Sequence, residues 1–90
     1  MNIELTEKEF RRLLDLVYVG NWVLNSARGD DRFEDYDNLQ EKMFTLCPEH
    51  GMRALITRWY GHTFPSPAYE NGGIHEAIAD YEDAIFFDIL

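Results

Sequence analysis

Apolar and polar positions over the first third of the chain repeat with a helical period. Wound at about 100° per residue, Phe10, Leu13, Leu16, Val17, Gly20, Val23, Leu24 and Ala27 fall on one broad face, with Arg11, Arg12, Asp15 and Ser26 opposite. This pattern predicts a helix from Glu7 to Ala27 or Arg28 with that face as its core stripe. Its start is marked by LTEKEF: Thr6 caps, Glu9 reaches back to close a capping box, and Leu5 and Phe10 suit a hydrophobic staple. Gly29 offers a left-handed exit. Val19, Trp22 and, at the edge, Tyr18 break the pattern by falling among the polar positions. They predict a second contact on this helix, made either by the rest of the chain or by another copy of it. Gly20 costs about 1 kcal/mol relative to alanine in mid-helix and is tolerated where another helix must come close.

A second helix is predicted after RGDDRF, capped by Asp30 or Asp31 with Glu34 and Asp35 at its positive end. Phe33, Tyr36, Leu39, Met43 and Leu46 form its stripe, Phe44 and Cys47 widen it, and Pro48 should stop it at Cys47. The short connection predicts that helices 1 and 2 pack as an antiparallel hairpin. Met52, Leu55, Ile56 and Trp59 fit a short third helix over Met52–Tyr60, although the alternation in LITRWY also suits a strand. GHTFPSPAYENGG is a loop whose Phe64 and Tyr69 should cover the end of the core. A last helix begins near Gly73 or Ile74, with Ile74, Ile78, Tyr81, Ile85 and Ile89 as its stripe, Phe86 beside it, and the end at Leu90 packed. The expected fold is therefore all-α: one domain over 1–90, a small bundle of three main helices plus one short helix, with the N-terminal helix at its centre.

The segment LTEKEFRRLLDLVYVGNWVLN is similar to a family of small uncharacterised bacterial proteins. The family pattern runs Leu-Thr-x-x-Glu-aromatic, then Leu-Leu-Asp-Leu, then Tyr-x-Gly-x-Trp-Val-Leu-Asn. It is met at Leu5, Thr6, Glu9, Phe10, Leu13 to Leu16, Tyr18, Gly20 and Trp22 to Asn25. A looser similarity covers EKMFTL and YEDAIFF, while the middle of the chain, with Pro48 and FPSPAYENGG, departs from the pattern. The resemblance implies a helical domain of unknown function and transfers no catalytic residue.

Charge narrows the function classes. Acidic residues outnumber basic ones 17 to 8, a net charge of −9 that suits neither a phosphate backbone nor an anionic membrane surface. A carboxylate mimic of DNA is a minor alternative. In 90 residues only about 60–65% of the unfolded surface can be buried, so association is a natural way to bury more. The single cysteine, the absence of a signal-peptide pattern and the lack of a membrane-length apolar run point to the cytoplasm.

Candidate chemistry is sparse. Cys47, His50, His62 and His75 are the only thiol and imidazoles, and Cys-x-x-His is a usable zinc spacing, but His62 and His75 stand alone. A buried thiol and surface histidines are the favoured reading, so no metal and no cofactor are expected. HEAIA lacks the second histidine of a zincin, and GDDRFEDYDN has an arginine at the third ligand position of a calcium loop. Nothing suggests an activated thiol in a Cys47–His50 pair. Arg58, Trp59, His62, Phe64 and Tyr69 could line a small-ligand pocket, although rings in so small a bundle more often plug the core. The sequence thus points to a non-enzymatic interaction module, self-associating as a dimer through Tyr18, Val19 and Trp22 or binding another protein. A ligand-binding or enzymatic domain built on the 58–69 segment is the alternative.

Overall fold

A computed structural model describes the backbone of residues 1–89 and the side chains of residues 1–85. Three helices carry the fold: α1 (Glu7–Asn25), α2 (Glu34–Phe44) and α4 (His75–Ile89). Between α2 and α4 the chain forms an antiparallel hairpin of β1 (Ile56–Trp59) and β2 (His62–Pro65), then the one-turn α3 (Pro67–Tyr69). The protein is therefore predominantly helical but not all-α. Phe86, Ile89 and Leu90, expected on the last stripe and in a packed end, lie outside the described side chains.

The start of α1 is as its sequence dictates. Glu9 N–H donates to Thr6 Oγ1 at 3.1 Å, Thr6 N–H donates to Glu9 Oε1 at 2.9 Å, and these bonds hold the Glu9 carboxyl below its usual range. Its end is not. The helix stops at Asn25, and Gly29 does not adopt a left-handed backbone. Asp31 closes the following turn by accepting from Gly29 N–H and pairing with Arg28 at 3.1 Å, so neither Asp30 nor Asp31 caps α2.

The N-cap of α2 is Phe33, which has no side chain able to bond the helix end. Asn25 does the work from α1. Its Oδ1 accepts from Phe33 N–H at 2.8 Å, and its Nδ2 donates to Phe33 C=O at 3.1 Å. A buried amide thus fixes where the second helix starts, satisfying main-chain groups that would otherwise be stranded. At its other end α2 stops at Phe44, before the expected Cys47, because Pro48 opens a separate tight turn, Cys47–His50, closed by left-handed Gly51.

The expected helix over Met52–Tyr60 is overturned. Arg53–Leu55 makes one tight turn, and Ile56 enters β1. Tyr60 and Gly61 have φ of 50° and 77°, the positive pair that a two-residue hairpin turn needs. Thr57, Thr63 and the neighbouring rings are good strand formers, and Gly61 makes the turn rather than ending a helix. The inward strand positions are Ile56, Thr63 and Pro65; Glu41 of α2 accepts from Thr63 N–H at 3.2 Å and ties the hairpin to the helices. Ser66 then caps α3 and donates to Ala54 C=O at 2.6 Å. Gly73, at φ 107°, lets the chain swing through Glu70–Ile74 into α4.

The core is small. Phe10, Leu14 and Tyr18 of α1 meet Phe44, Cys47, Tyr69 and Ile78. Tyr69 sits at its centre, edge-on to Tyr18 at 5.3 Å and to Phe44 at 5.1 Å. It belongs to the core itself, more deeply than a ring covering its end. The buried arc of α1 is Phe10, Leu14, Tyr18, Asn21 and Asn25, about 120° around the helix from the stripe expected. Of that stripe only Phe10 is buried, while Leu16 is 72% and Val23 62% exposed.

Candidate functional site

The expected interface residues divide. Tyr18 is only 7% exposed and faces the chain's own core. Its hydroxyl donates to Glu70 Oε2 at 3.0 Å and lies 2.8 Å from His75 Nε2, tying α1 to the turn ahead of α4. Val19 and Trp22 are half-buried, packed against the core on one side and lining a surface cleft on the other.

The residues expected in an aromatic pocket are not brought together. Trp59, His62 and Phe64 share the outer face of the hairpin, where all three are exposed. Arg58 pairs with Thr63 on the opposite face, and Tyr69 is fully buried in the core. The thiol and imidazoles are likewise scattered. Cys47 is buried. His50 stacks on Phe10 at 4.0 Å with its Nδ1 2.9 Å from Glu7, His62 lies 3.2 Å from Glu41, and His75 meets Tyr18. Among the described residues no three His, Cys, Asp or Glu side chains gather to hold a metal ion.

The buried polar groups act as fasteners. Burial first, and the Glu70 carboxylate second, push Tyr18 up to about 12. Burial and Asp15, which accepts from the Tyr69 hydroxyl at 2.8 Å, raise Tyr69 further, while the Arg11 guanidinium lies 4.8 Å over its ring. Burial also raises the Cys47 thiol. Groups shifted this way keep their protons and make poor bases or nucleophiles at neutral pH.

Asp37 is shifted the other way. Arg32 grips its carboxylate with two bonds at 2.8 and 2.9 Å, and Asn21 and Asn25 donate to it as well. The Arg32 bond chiefly, helped by Asn21, lowers its pKa from 3.8 to about 2. Because the folded value is depressed, this stabilisation is complete above about pH 5 and is lost as pH falls through 4 toward 2. Allowing for solvent screening, its loss costs about 1–2 kcal/mol. Urea titrations at pH 6 and pH 2.5 should show an acid loss that is about that much smaller in Asp37→Asn; an equal loss in both proteins refutes the assignment.

What the described residues leave unpartnered is the outer face of α1. Leu13, Leu16, Val17, Gly20, Val23 and Leu24 run along it for about 16 Å, all half-buried or exposed. Beyond the helix's own backbone, no atom of the described residues lies within 4 Å of where a Gly20 Cβ would sit, so none of them uses that glycine's lack of a side chain. The face is flanked by two apolar hollows. One, about 310 Å³, lies between Val19, Trp22 and Val23 of α1 and Ala77, Ile78 and Tyr81 of α4, with Glu82 at its rim. The other, about 340 Å³, lies on the first half of α1 and is lined by Leu5, Leu13 and Leu16 with Lys8, Glu9 and Arg12.

The accessible surface totals 6969 Å². A folded monomer of 10.6 kDa has about 5,500 Å². The radius of gyration, 14.4 Å, likewise exceeds the roughly 12 Å of a compact domain of this length. Pattern reading found this apolar face but assigned it to the core. The signal that could have corrected it was the pair Asn21 and Asn25, at the spacing of one helix face with Leu14 and Tyr18.

Among the described residues no helix is long and apolar enough to cross a membrane. Comparison of the chain with protein-family models, with curated proteins and with solved structures returned no match.

Proposed function

We propose that the protein is a non-enzymatic interaction module that self-associates through the outer face of α1. The observation that carries this reading is the open surface around Gly20, bordered by Leu13, Leu16, Val17, Val23 and Leu24. Water on such a strip costs free energy that a second apolar surface removes, at about 25 cal/mol per Å² buried. The surface beyond that of a compact monomer, about 1,500 Å², exceeds the roughly 800 Å² that a standard interface takes from each partner. The scattered imidazoles and proton-retaining phenols fit a binding role better than a catalytic one.

The reading keeps Val19 and Trp22 as one wall of the interface and moves its centre to Leu16 and Gly20. Light scattering at micromolar concentration is expected to give twice the 10.6 kDa chain mass. A chain that stays at 10.6 kDa up to millimolar concentration refutes it.

A further inference from the structure

Taking self-association as its premise, we infer that two copies dock antiparallel. The two-fold axis crosses α1 near Leu16 and Val17, and Lys8 and Arg12 of each copy meet the acidic rim of the partner's α4. The geometry follows from where α4 lies. His75 touches Tyr18, and Ile78, Tyr81 and Glu82 border Val19, Trp22 and Val23, so α4 runs beside the second half of α1 in the same direction. Among the described residues the first half of α1 has no such neighbour on that flank; the hollow lined by Leu5, Leu13 and Leu16 is open there.

A two-fold axis perpendicular to antiparallel helices carries each flank onto the same flank of the partner, but at the opposite end. The partner's α4 therefore falls beside the first half of α1, and the hollow on each copy faces the cleft on the other. One contact is thus made twice, as a closed two-fold dimer requires.

Charge agrees with this arrangement. Lys8 and Arg12 edge the open hollow, and Glu9, the one carboxylate lining it, is engaged by the Thr6 N–H. The Arg12 side chain is well exposed, with one long contact to Asp15 at 3.7 Å. Glu82 edges the facing cleft, and the described part of α4 carries Glu76, Asp80, Glu82 and Asp83 with no lysine or arginine. A parallel pairing, whose axis runs along the helices, would instead carry the two α4 helices to opposite sides of the contact and leave Lys8 and Arg12 without an acidic partner from α4. Packing agrees as well. With the axis between residues 16 and 17, Leu13 of the partner subunit lies level with Gly20, and the glycine makes the hole that the leucine fills.

Cysteine scanning separates the arrangements, since native Cys47 is buried and silent. Leu16→Cys sits at the axis and is expected to cross-link to its counterpart under mild oxidation. Val23→Cys lies about 20 Å from its own counterpart in this geometry and is expected not to. Arg12→Glu should weaken the dimer at least tenfold, and adding Glu82→Arg should restore it. Equal cross-linking of both cysteine variants, or no rescue by the charge swap, overturns the antiparallel geometry while leaving self-association standing. A parent protein of monomer mass removes the premise instead.

Discussion

Replacing Tyr69 with alanine is expected to leave the protein unfolded or at the edge of unfolding at room temperature. The ring is fully buried between Tyr18 and Phe44, and its hydroxyl donates to Asp15 under the Arg11 guanidinium. Removing a buried aromatic side chain costs about 3–5 kcal/mol through lost transfer energy and the cavity left behind. A domain of 90 residues has only about 5–13 kcal/mol in total. In so small a core no neighbour can spread to refill the space. Tyr69→Phe keeps the ring and loses one bond to a carboxylate that Arg11 still pairs at 2.6 Å, so it should cost about 1–2 kcal/mol. Urea denaturation followed by circular dichroism measures both. A Tyr69→Ala protein within 1 kcal/mol of the parent would show that the ring is not the centre of the core.

Much of the helical frame was legible because its signals are local. The capping box at Thr6 and Glu9 involves residues three apart and was read correctly, as was the existence of α1, α2 and α4. The rest turned on contacts across the chain. Asp30 and Asp31 are good caps by type, yet Asn25 holds the start of α2, and no rule of spacing reveals a cap supplied by another helix. Over Met52–Tyr60 the apolar positions satisfy a helix and a strand alike. The choice was made by Tyr60 and Gly61 adopting a paired positive-φ turn and by Glu41 reaching across to Thr63.

The most instructive error concerns which side of α1 faces inward. Pattern reading gives the most apolar arc to the chain's own core, and on that basis Leu13, Leu16, Val17, Val23 and Leu24 face in. The fold instead buries an arc containing two amides, Asn21 and Asn25. Both are satisfied by one another, by Asp37, by Gln40 or by the main chain of Phe33, so their burial carries no stranded polar group. Among the described residues no buried side-chain nitrogen or oxygen lacks a partner. Tyr18 meets the rest of its own chain through bonds that spacing does not reveal, since its hydroxyl finds Glu70 and His75 only once the chain has folded. The aromatic pocket failed because strand alternation sends Arg58 and Trp59 to opposite faces, while α3 carries Tyr69 into the interior.

If α1 is covered by a second copy, Leu16→Glu should have a large effect on the assembly and almost none on the single chain. Leu16 is 72% exposed, so within one chain the substitution changes a solvated position and should shift stability by no more than about 0.5 kcal/mol. In the dimer it would place two carboxylates near the axis in an apolar contact, where desolvation and mutual repulsion outweigh an i, i+4 pair with the exposed Arg12, a cost of several kcal/mol. The parent's melting temperature should therefore rise with protein concentration, because association draws the folding equilibrium with it. The variant should melt lower, at a temperature independent of concentration, and scatter light as a 10.6 kDa species with its helical circular dichroism intact. Gly20→Ala sharpens the comparison. A Cβ there meets nothing among the described residues of the single chain and should stabilise an isolated helix by about 1 kcal/mol, whereas in the dimer it intrudes on the opposing helix. A more stable but more readily dissociated Gly20→Ala protein is thus the expected signature of a second helix at this face. A variant that gains stability and keeps the parent's mass at every concentration would leave the glycine with no partner to explain it.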